Sequence, residues 1–436
     1  MATPTTTSAW SVREIDPTSF NGLALKESVP LPKLGDYDVL VQIEAVSLNY
    51  RELAIPRGLY PFAMSLPVVP GSDSSGIAVA VGPKVTKISK GDRVYTLFNE
   101  LHQAGEITPE GVGSGLGGAV DGTLRNYGVF PEHGLVQAPQ SLSAIEASTL
   151  TCAPLTAWNA LYGLQSKTVR AVAAGATVVA TTSSNDKVDA LKKLGASHVV
   201  NYREIPNWGE AARALTPKGL GFDHILEIGG AASIAQSLKG IKLGSVITII
   251  GFLTSSDTQP ALMEALNHLC IVRGIFVGSK VQFEEMNRAI DSIKLRPVVE
   301  SKIFSFEEVK EAYQYQWDRK NFGKVVIQVG NKPEACTVRI YGWFPSLDIC
   351  SSDSAGFGES ITVSSLLKEI ELVAVDHIKT TATVILDGRV PGRELLQRDA
   401  VLGKDVGTRD ALLDKVKGIA VIYHIGFVVV VSRCLW

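Results

Sequence analysis

Between Thr181 and Lys187 the chain reads Thr-Thr-Ser-Ser-Asn-Asp-Lys, a run of hydroxyls closed by a lysine directly after the apolar segment Ala176–Thr181. Hydroxyls, backbone amides at a helix start and an ammonium group suit a phosphate. Dinucleotide sites place such groups at a strand end, or an acidic residue there when the ribose hydroxyls are free. Ser183, Ser184 and Lys187 are therefore candidates for a 2′-phosphate, with Asp186 as a competing ribose acid beyond the strand end. The same residues also read as a helix N-cap followed by a surface lysine. Further candidates follow apolar runs: Gly229-Gly230, Gly251-Phe252 and Val277-Gly278-Ser279. Carboxyl ends of parallel strands are where ligands bind in open sheets, although plain turns need the same glycines.

Other chemistries are excluded or left without support. Five cysteines stand at 152, 270, 336, 350 and 434, with no Cys-x-x-Cys pair and an odd total. That argues against a disulfide framework or a zinc ribbon, and points to a reducing, cytoplasmic setting. None of the seven histidines falls in a motif. A net charge of −2, from 42 basic and 44 acidic residues, offers no field for nucleic acid or an anionic membrane. Met1–Trp10 lacks the apolar core of a secretory signal. The most apolar stretch, Ile419–Val431, is thirteen residues long and contains His424, short of the roughly 20 a membrane span needs. It reads as buried or misfolded.

The elements that must position these groups fall into two textures. Residues 28–150 are β-rich. Tyr37–Val46 alternates like a half-buried strand, and Pro67–Ser72, Gly76–Gly82 and Gly91–Tyr95 are short strands punctuated by Gly and Pro, the pattern of a small barrel-like domain. Gly111–Gly122, with six glycines, is expected to be a mobile loop. From 145 to 280 apolar strands alternate with helical segments, which implies a parallel, doubly wound sheet. Residues 281–329 return to mixed structure and end in the strand Lys324–Val329. Beyond 330 the text changes. Ser364–Val375 is a candidate helix and Thr383–Leu386 a candidate strand, and no catalytic constellation stands out.

Seven short motifs occur in order: Asn49-Tyr-Arg-Glu52, Gly58-Leu-Tyr-Pro61, Val69-Pro-Gly71, Gly91-Asp-Arg-Val94, Thr156-Ala-Trp-Asn-Ala160, Asn201-Tyr-Arg-Glu204 and Phe322-Gly-Lys-Val-Val326. In this the chain resembles the medium-chain dehydrogenase/reductase superfamily, in its zinc-free, quinone oxidoreductase-like branch, over about residues 10–329. The resemblance implies a GroES-like catalytic domain (1–150, completed by 281–329), a Rossmann NADP-binding domain (151–280) and an unassigned extension (330–436). It places Asn49 and Tyr50 at the nicotinamide and substrate cleft, with Arg51 a weaker donor that also reads as solvated. Lys187 and Tyr202 fall at the 2′-phosphate, Thr156 beside the nicotinamide, and Asn321 and Lys324 at the closing edge. Glu52 departs from the Asp more usual after Asn-Tyr-x, which puts that corner's geometry in question.

Zinc relatives bind metal through Cys, His and a further Cys or carboxylate, and catalytic zinc needs three protein ligands. Here those regions read Ser47-Leu-Asn-Tyr50 and Gly71-Ser-Asp73, leaving Cys152 alone. No metal is expected.

One part of the fold is short. A first Rossmann strand, Gly-rich turn and helix should follow Thr156–Leu164, yet only Ser166–Gly175 precede the next strand. A strand of about five residues and a helix of about ten cannot fit there; Ala171–Gly175 resembles only the helix's last turn. Either the translated reading frame has dropped a segment, or a real deletion rearranges the sheet, with the strand at 176 and helix at 185 sliding into the vacancy. The expected activity is NADPH-dependent hydride delivery to a quinone or an α,β-unsaturated carbonyl. The alternatives are a trans-acting enoyl reductase or dehydrogenase of secondary metabolism, and a catalytically dead scaffold lacking its pyrophosphate loop. The expected partners are a small carbonyl, enone or quinone substrate and a second copy of the chain, pairing through Ile271–Val277.

Overall fold

The computed structural model describes residues 3–164, 177–330 and 429–432. An antiparallel pair, β1 (Thr6–Val12) and β2 (Leu23–Pro30), leads into β3 (Asp38–Ser47), the spine of a seven-stranded sheet. Helix α1 (Tyr50–Ala54) follows it, then β4 (Asp73–Val81), β5 (Arg93–Thr96), α2 (Pro109–Val112), β6 (Tyr127–Pro131), β7 (Leu135–Gln137) and α3 (Ala144–Ala147). Val39, Leu40, Val41, Ile43, Ala45 and Val46 of β3 are all buried, the near-continuous apolar run of a strand covered on both faces. One edge of β3 pairs with β4, and the other meets β6 along Asp38–Gln42.

The second half runs α4 (Ala153–Tyr162), β8 (Thr177–Thr182), α5 (Val188–Lys193), β9 (His198–Asn201), α6 (Trp208–Ala214), β10 (Phe222–Glu227), α7 (Ile234–Gly240), β11 (Ile241–Ile249), α8 (Glu264–Asn267), β12 (Ile271–Gly274) and α9 (Lys280–Ile293). The chain then returns to the first sheet through β13 (Phe304–Ser305), α10 (Val309–Trp317) and β14 (Val326–Gln328), which pairs with β3 along Ala45–Ser47. Helix α9 is secured at both ends. Ser279 and Gln282 form a reciprocal capping box, and Lys294 ends the helix in the left-handed region at φ 54°. Its buried face, Phe283, Met286 and Ile290, packs into a core shared by both halves, in which Phe283 stacks on Tyr95 at 4.7 Å.

Two expectations change here. Gly111–Gly122 is not a free loop. Gly115 bridges to Asn99 and Leu116 to Val120, and Ser114, Gly115, Leu116 and Gly117 are buried. Its glycines let backbone meet backbone: a Cβ on Gly117 would stand 2.7 Å from Gly71 N. The second change concerns the parallel sheet, whose strand order is β12-β11-β10-β15-β8-β9, where β15 is Val429–Ser432. Strand β15 runs antiparallel to both β8 and β10. The vacancy of a first Rossmann strand is therefore not taken by the strand at 177 sliding across. β8 keeps its place beside β9, and the chain's own C-terminal valines occupy the slot. Of the apolar stretch Ile419–Val431, residues 429–431 are in this strand; the rest, together with the Ser166–Gly175 remnant, Ser364–Val375 and Thr383–Leu386, lies outside the described residues.

Candidate active site

A cavity of about 600 Å³ opens between the two sheets. Asn49, Tyr50, Thr156, Phe252, Val277 and Lys324 line it, with Gly251 and Asn321. Asn49 and Tyr50 are there because β3 ends at Ser47 and α1 begins at once. Glu52, in the first turn, accepts the Asn49 backbone N–H at 2.8 Å and so sets the angle of the turn. The extra methylene of Glu52 is absorbed by contacts on both sides: Ser72 Oγ donates to it at 3.2 Å, and Arg51 Nη1 stands 3.3 Å away.

Lys324 enters from just before β14, the strand that pairs with the end of β3. Its buried ammonium donates to Leu48 O at 2.8 Å and to Asn49 Oδ1, and stands 3.5 Å from Asp73 Oδ2. An ammonium group has only donors, so the amide atom facing it is the oxygen. The other amide atom, Asn49 Nδ2, is buried and has no protein acceptor. A buried, unpaired donor is costly, and here it is fixed on the wall of a cavity. Thr156 lies one turn inside α4, its hydroxyl donating to Cys152 O at 2.7 Å.

The residues at the zinc-ligand positions do not fit a metal. Ser47 Oγ donates to Ser148 O at 3.0 Å, and Cys152 N–H donates to Asp73 Oδ2 at 3.1 Å. Burial, with Asp73 adding to it, pushes the Cys152 thiol well above its ordinary range, so it is a poor source of thiolate. Lys324 already supplies positive charge beside Asp73. Burial also raises the Glu52 carboxyl, against the pull of Arg51.

Arg51 is not a solvated side chain. It is 7% exposed, donates to Leu116 O at 2.6 Å, and stands 4.6 Å from the Phe98 ring and 5.0 Å from that of Tyr60. Those rings, with Phe62 and Phe276, make one end of the cavity aromatic. Sequence reasoning missed these walls because they come from three separate segments.

A second cavity, about 580 Å³, lies at the end of β8. Ser183, Ser184 and Lys187 line it with Arg203 and Arg319. Tyr50, Asn321 and Phe322 border both cavities, so the two adjoin. Tyr50 marks the junction, edge-on to Phe252 at 5.7 Å and stacked on Trp317 at 6.5 Å. Desolvation lowers the Lys187 pKa and the Arg319 charge lowers it further, with Glu300 opposing. Cations crowded in this way fit a phosphate. Arg203 was in view in the Asn201-Tyr-Arg-Glu204 motif; Arg319 carried no signal of its own.

Four expected cofactor residues line neither cavity. Tyr202 packs on the core of Val179, Val200 and Trp208, on the other side of the sheet. Gly229 is pressed against Ser233, where a Cβ would meet Oγ at 2.3 Å, and Gly278 lies against Leu155. Ser279 serves as the N-cap of α9. Strand-end glycines in a sequence mark turns and ligand loops alike, and here these two serve close packing.

Two family models match the chain, the alcohol dehydrogenase GroES-like domain over residues 35–140 and the zinc-binding dehydrogenase over 169–294. A zinc-type alcohol dehydrogenase-like protein of Schizosaccharomyces pombe is 40% identical over 72% of this chain and 96% of its own length. The chain belongs to the medium-chain dehydrogenase/reductase superfamily. This dehydrogenase/reductase is also similar to a crystal structure from Sinorhizobium meliloti described as an alcohol dehydrogenase, at 37% identity and TM-score 0.65, over 75% of this chain and all of that one. It is 24% identical to human quinone oxidoreductase over 66% of this chain and 87% of the relative. The superfamily works with a nicotinamide cofactor, NAD or NADP. No described helix is long and apolar enough to cross a membrane.

Proposed function

We propose that this chain is an NADPH-dependent reductase of quinones or α,β-unsaturated carbonyls that works without zinc. The observation that carries the reading is the unpaired Asn49 amide donor, held by Lys324 on the wall of an aromatic cavity. When bound, the nicotinamide supplies the hydride. Asn49 Nδ2 donates to an oxygen that gains negative charge, where a preorganised donor is worth most. Tyr50 stacks at the junction of the two cavities and is the candidate proton donor. Lys187, Arg203, Ser183 and Ser184 hold the 2′-phosphate. The apolar walls exclude water and favour a planar, electron-poor acceptor over a charged one. Relatives named as quinone oxidoreductase (human) and 2-methylene-furan-3-one reductase (Solanum lycopersicum, 28% identical) agree with this substrate class. The second-copy partner is placed at β12, and the compartment is the cytoplasm.

A second reading, a scaffold without catalysis, is favoured by one observation. The strand in the first Rossmann position, β15, runs the wrong way to lead into a Gly-rich turn at the cofactor edge. Fluorescence titration of the purified chain with NADPH, with NADH as control, separates the two. Micromolar binding with NADPH preferred supports the reductase, and Lys187→Ala should then weaken NADPH about tenfold or more while leaving NADH almost unchanged. A folded protein that binds neither nucleotide sinks the reductase reading.

A further inference from the structure

The chain's C-terminal strand is the only hydrogen-bonded connection, among the described residues, between two parts of one sheet. On one side stand β8 and β9, which carry the Ser183, Ser184 and Lys187 cavity. On the other stand β10, β11 and β12, which carry Gly251, Phe252 and Val277 of the nicotinamide cavity. Val430 is opposite Val179 on one side and Ile225 on the other, and Val429 is opposite Ala180 and Leu226. Two strands that flank a third stand about 10 Å apart, roughly twice the interstrand spacing, so β8 and β10 cannot pair directly across the gap.

The sequence suits the position. Residues 428–431 are four consecutive valines, the β-branched text of a strand buried on both faces. No Pro or charge interrupts them, as a central strand requires. The stretch between the end of α4 at Tyr162 and the start of β8 at Thr177 is too short for a strand, turn and helix, so the slot needs an occupant from elsewhere in the chain.

We infer that residues 429–432 act as a surrogate central strand that holds the two half-sites in register for a single dinucleotide. The occupant is the same molecule's own C-terminal segment. The strand is a positioning element. It enters the sheet antiparallel, so it restores the ladder without restoring a strand-to-helix turn. For nucleotide binding the inference rests on the reductase reading; for the fold it stands by itself.

The test is hydrogen exchange on the full chain, wild type against Val430→Pro, in the absence of nucleotide. Proline removes a ladder donor and sets its ring against the neighbouring strand. The expected result is exchange about tenfold faster or more at Val178–Ala180 and His224–Leu226, with β3 and β4 still protected. Unchanged protection at those amides overturns the inference. If Val430→Pro unfolds the whole chain, Val430→Gly keeps the amide and gives the same local readout at lower amplitude. Restoration of the Val430→Pro pattern by added wild-type chain would put a second copy's strand in the slot and overturn the intramolecular form. In titrations, NADPH affinity should fall about tenfold or more while adenosine 2′,5′-bisphosphate, which needs the β8 side alone, loses less. Equal loss of both overturns the registering role. A wild-type chain that binds no nucleotide but shows the exchange difference would sink the reductase reading and leave the surrogate strand standing.

Discussion

Asn49 illustrates how one residue acquires a role through its neighbour. Its amide would be free to flip were it not for Lys324, which can only donate and therefore claims the oxygen. Asn49→Ala removes the unpaired donor while Lys324 keeps Leu48 O and Asp73. Steady-state assays with a quinone should show kcat/KM lower by about 100-fold, the usual size of an oxyanion-donor loss, with little change in melting temperature. Glu100 makes a different prediction. Burial raises its carboxyl to about 7, with Arg125 opposing, against 4.5 for the free group. The folded chain therefore binds more protons than the unfolded chain between those values. Its contribution is complete below about pH 4.5 and is lost as pH rises through about 7. Glu100→Gln should raise the melting temperature at pH 8 by roughly 2–4 °C, for about 1 kcal/mol recovered, and by less at pH 5. Equal melting gains at both pH values would contradict this.

At the scale of elements, α9 is the piece that ties the two halves together. Phe283 is fully buried on its inner face and stacked on Tyr95 from β5. Phe283→Ala should destabilise the chain by about 3–5 kcal/mol, measured by urea denaturation. A loss below about 1 kcal/mol would mean that the two halves do not share a core. The existence of these elements was readable from pattern. Strand starts and ends over 177–274 lie within a few residues of the apolar runs, because short β-branched runs bounded by turn residues admit few other structures. Gly111–Gly122 was not readable in this way. Six glycines signal freedom in a peptide, but Gly117 is there because Gly71 passes within 2.7 Å of where its Cβ would be.

At the scale of the molecule, β12 is one edge of the six-stranded sheet, with β9 at the other. Val272 and Ile271 on it are 39% and 37% exposed, and nearby Leu269 is 58% exposed. An apolar sheet edge left bare invites pairing with another chain. The chain is expected to sediment as a dimer, and Val272→Lys, which places a charge on that edge, should shift it to monomer. A wild-type monomer at micromolar concentration would remove the proposal.

The sequence by itself determined the two-part architecture and the absence of Cys and His from the zinc-ligand positions other than Cys152. Each is written locally, in periodicity, in short motifs and in residue type. It also revealed that a central strand was short of residues, since length is a local fact. Three things waited for the tertiary structure. The Asn49 amide is oriented by a lysine 275 residues away. Tyr202, Gly229, Gly278 and Ser279 stand outside the two cavity linings, which depends on which side of the sheet each one meets. The strand that fills the gap comes from Val429–Ser432, and direction and slot in a sheet are set by pairing between distant segments, which no local pattern encodes.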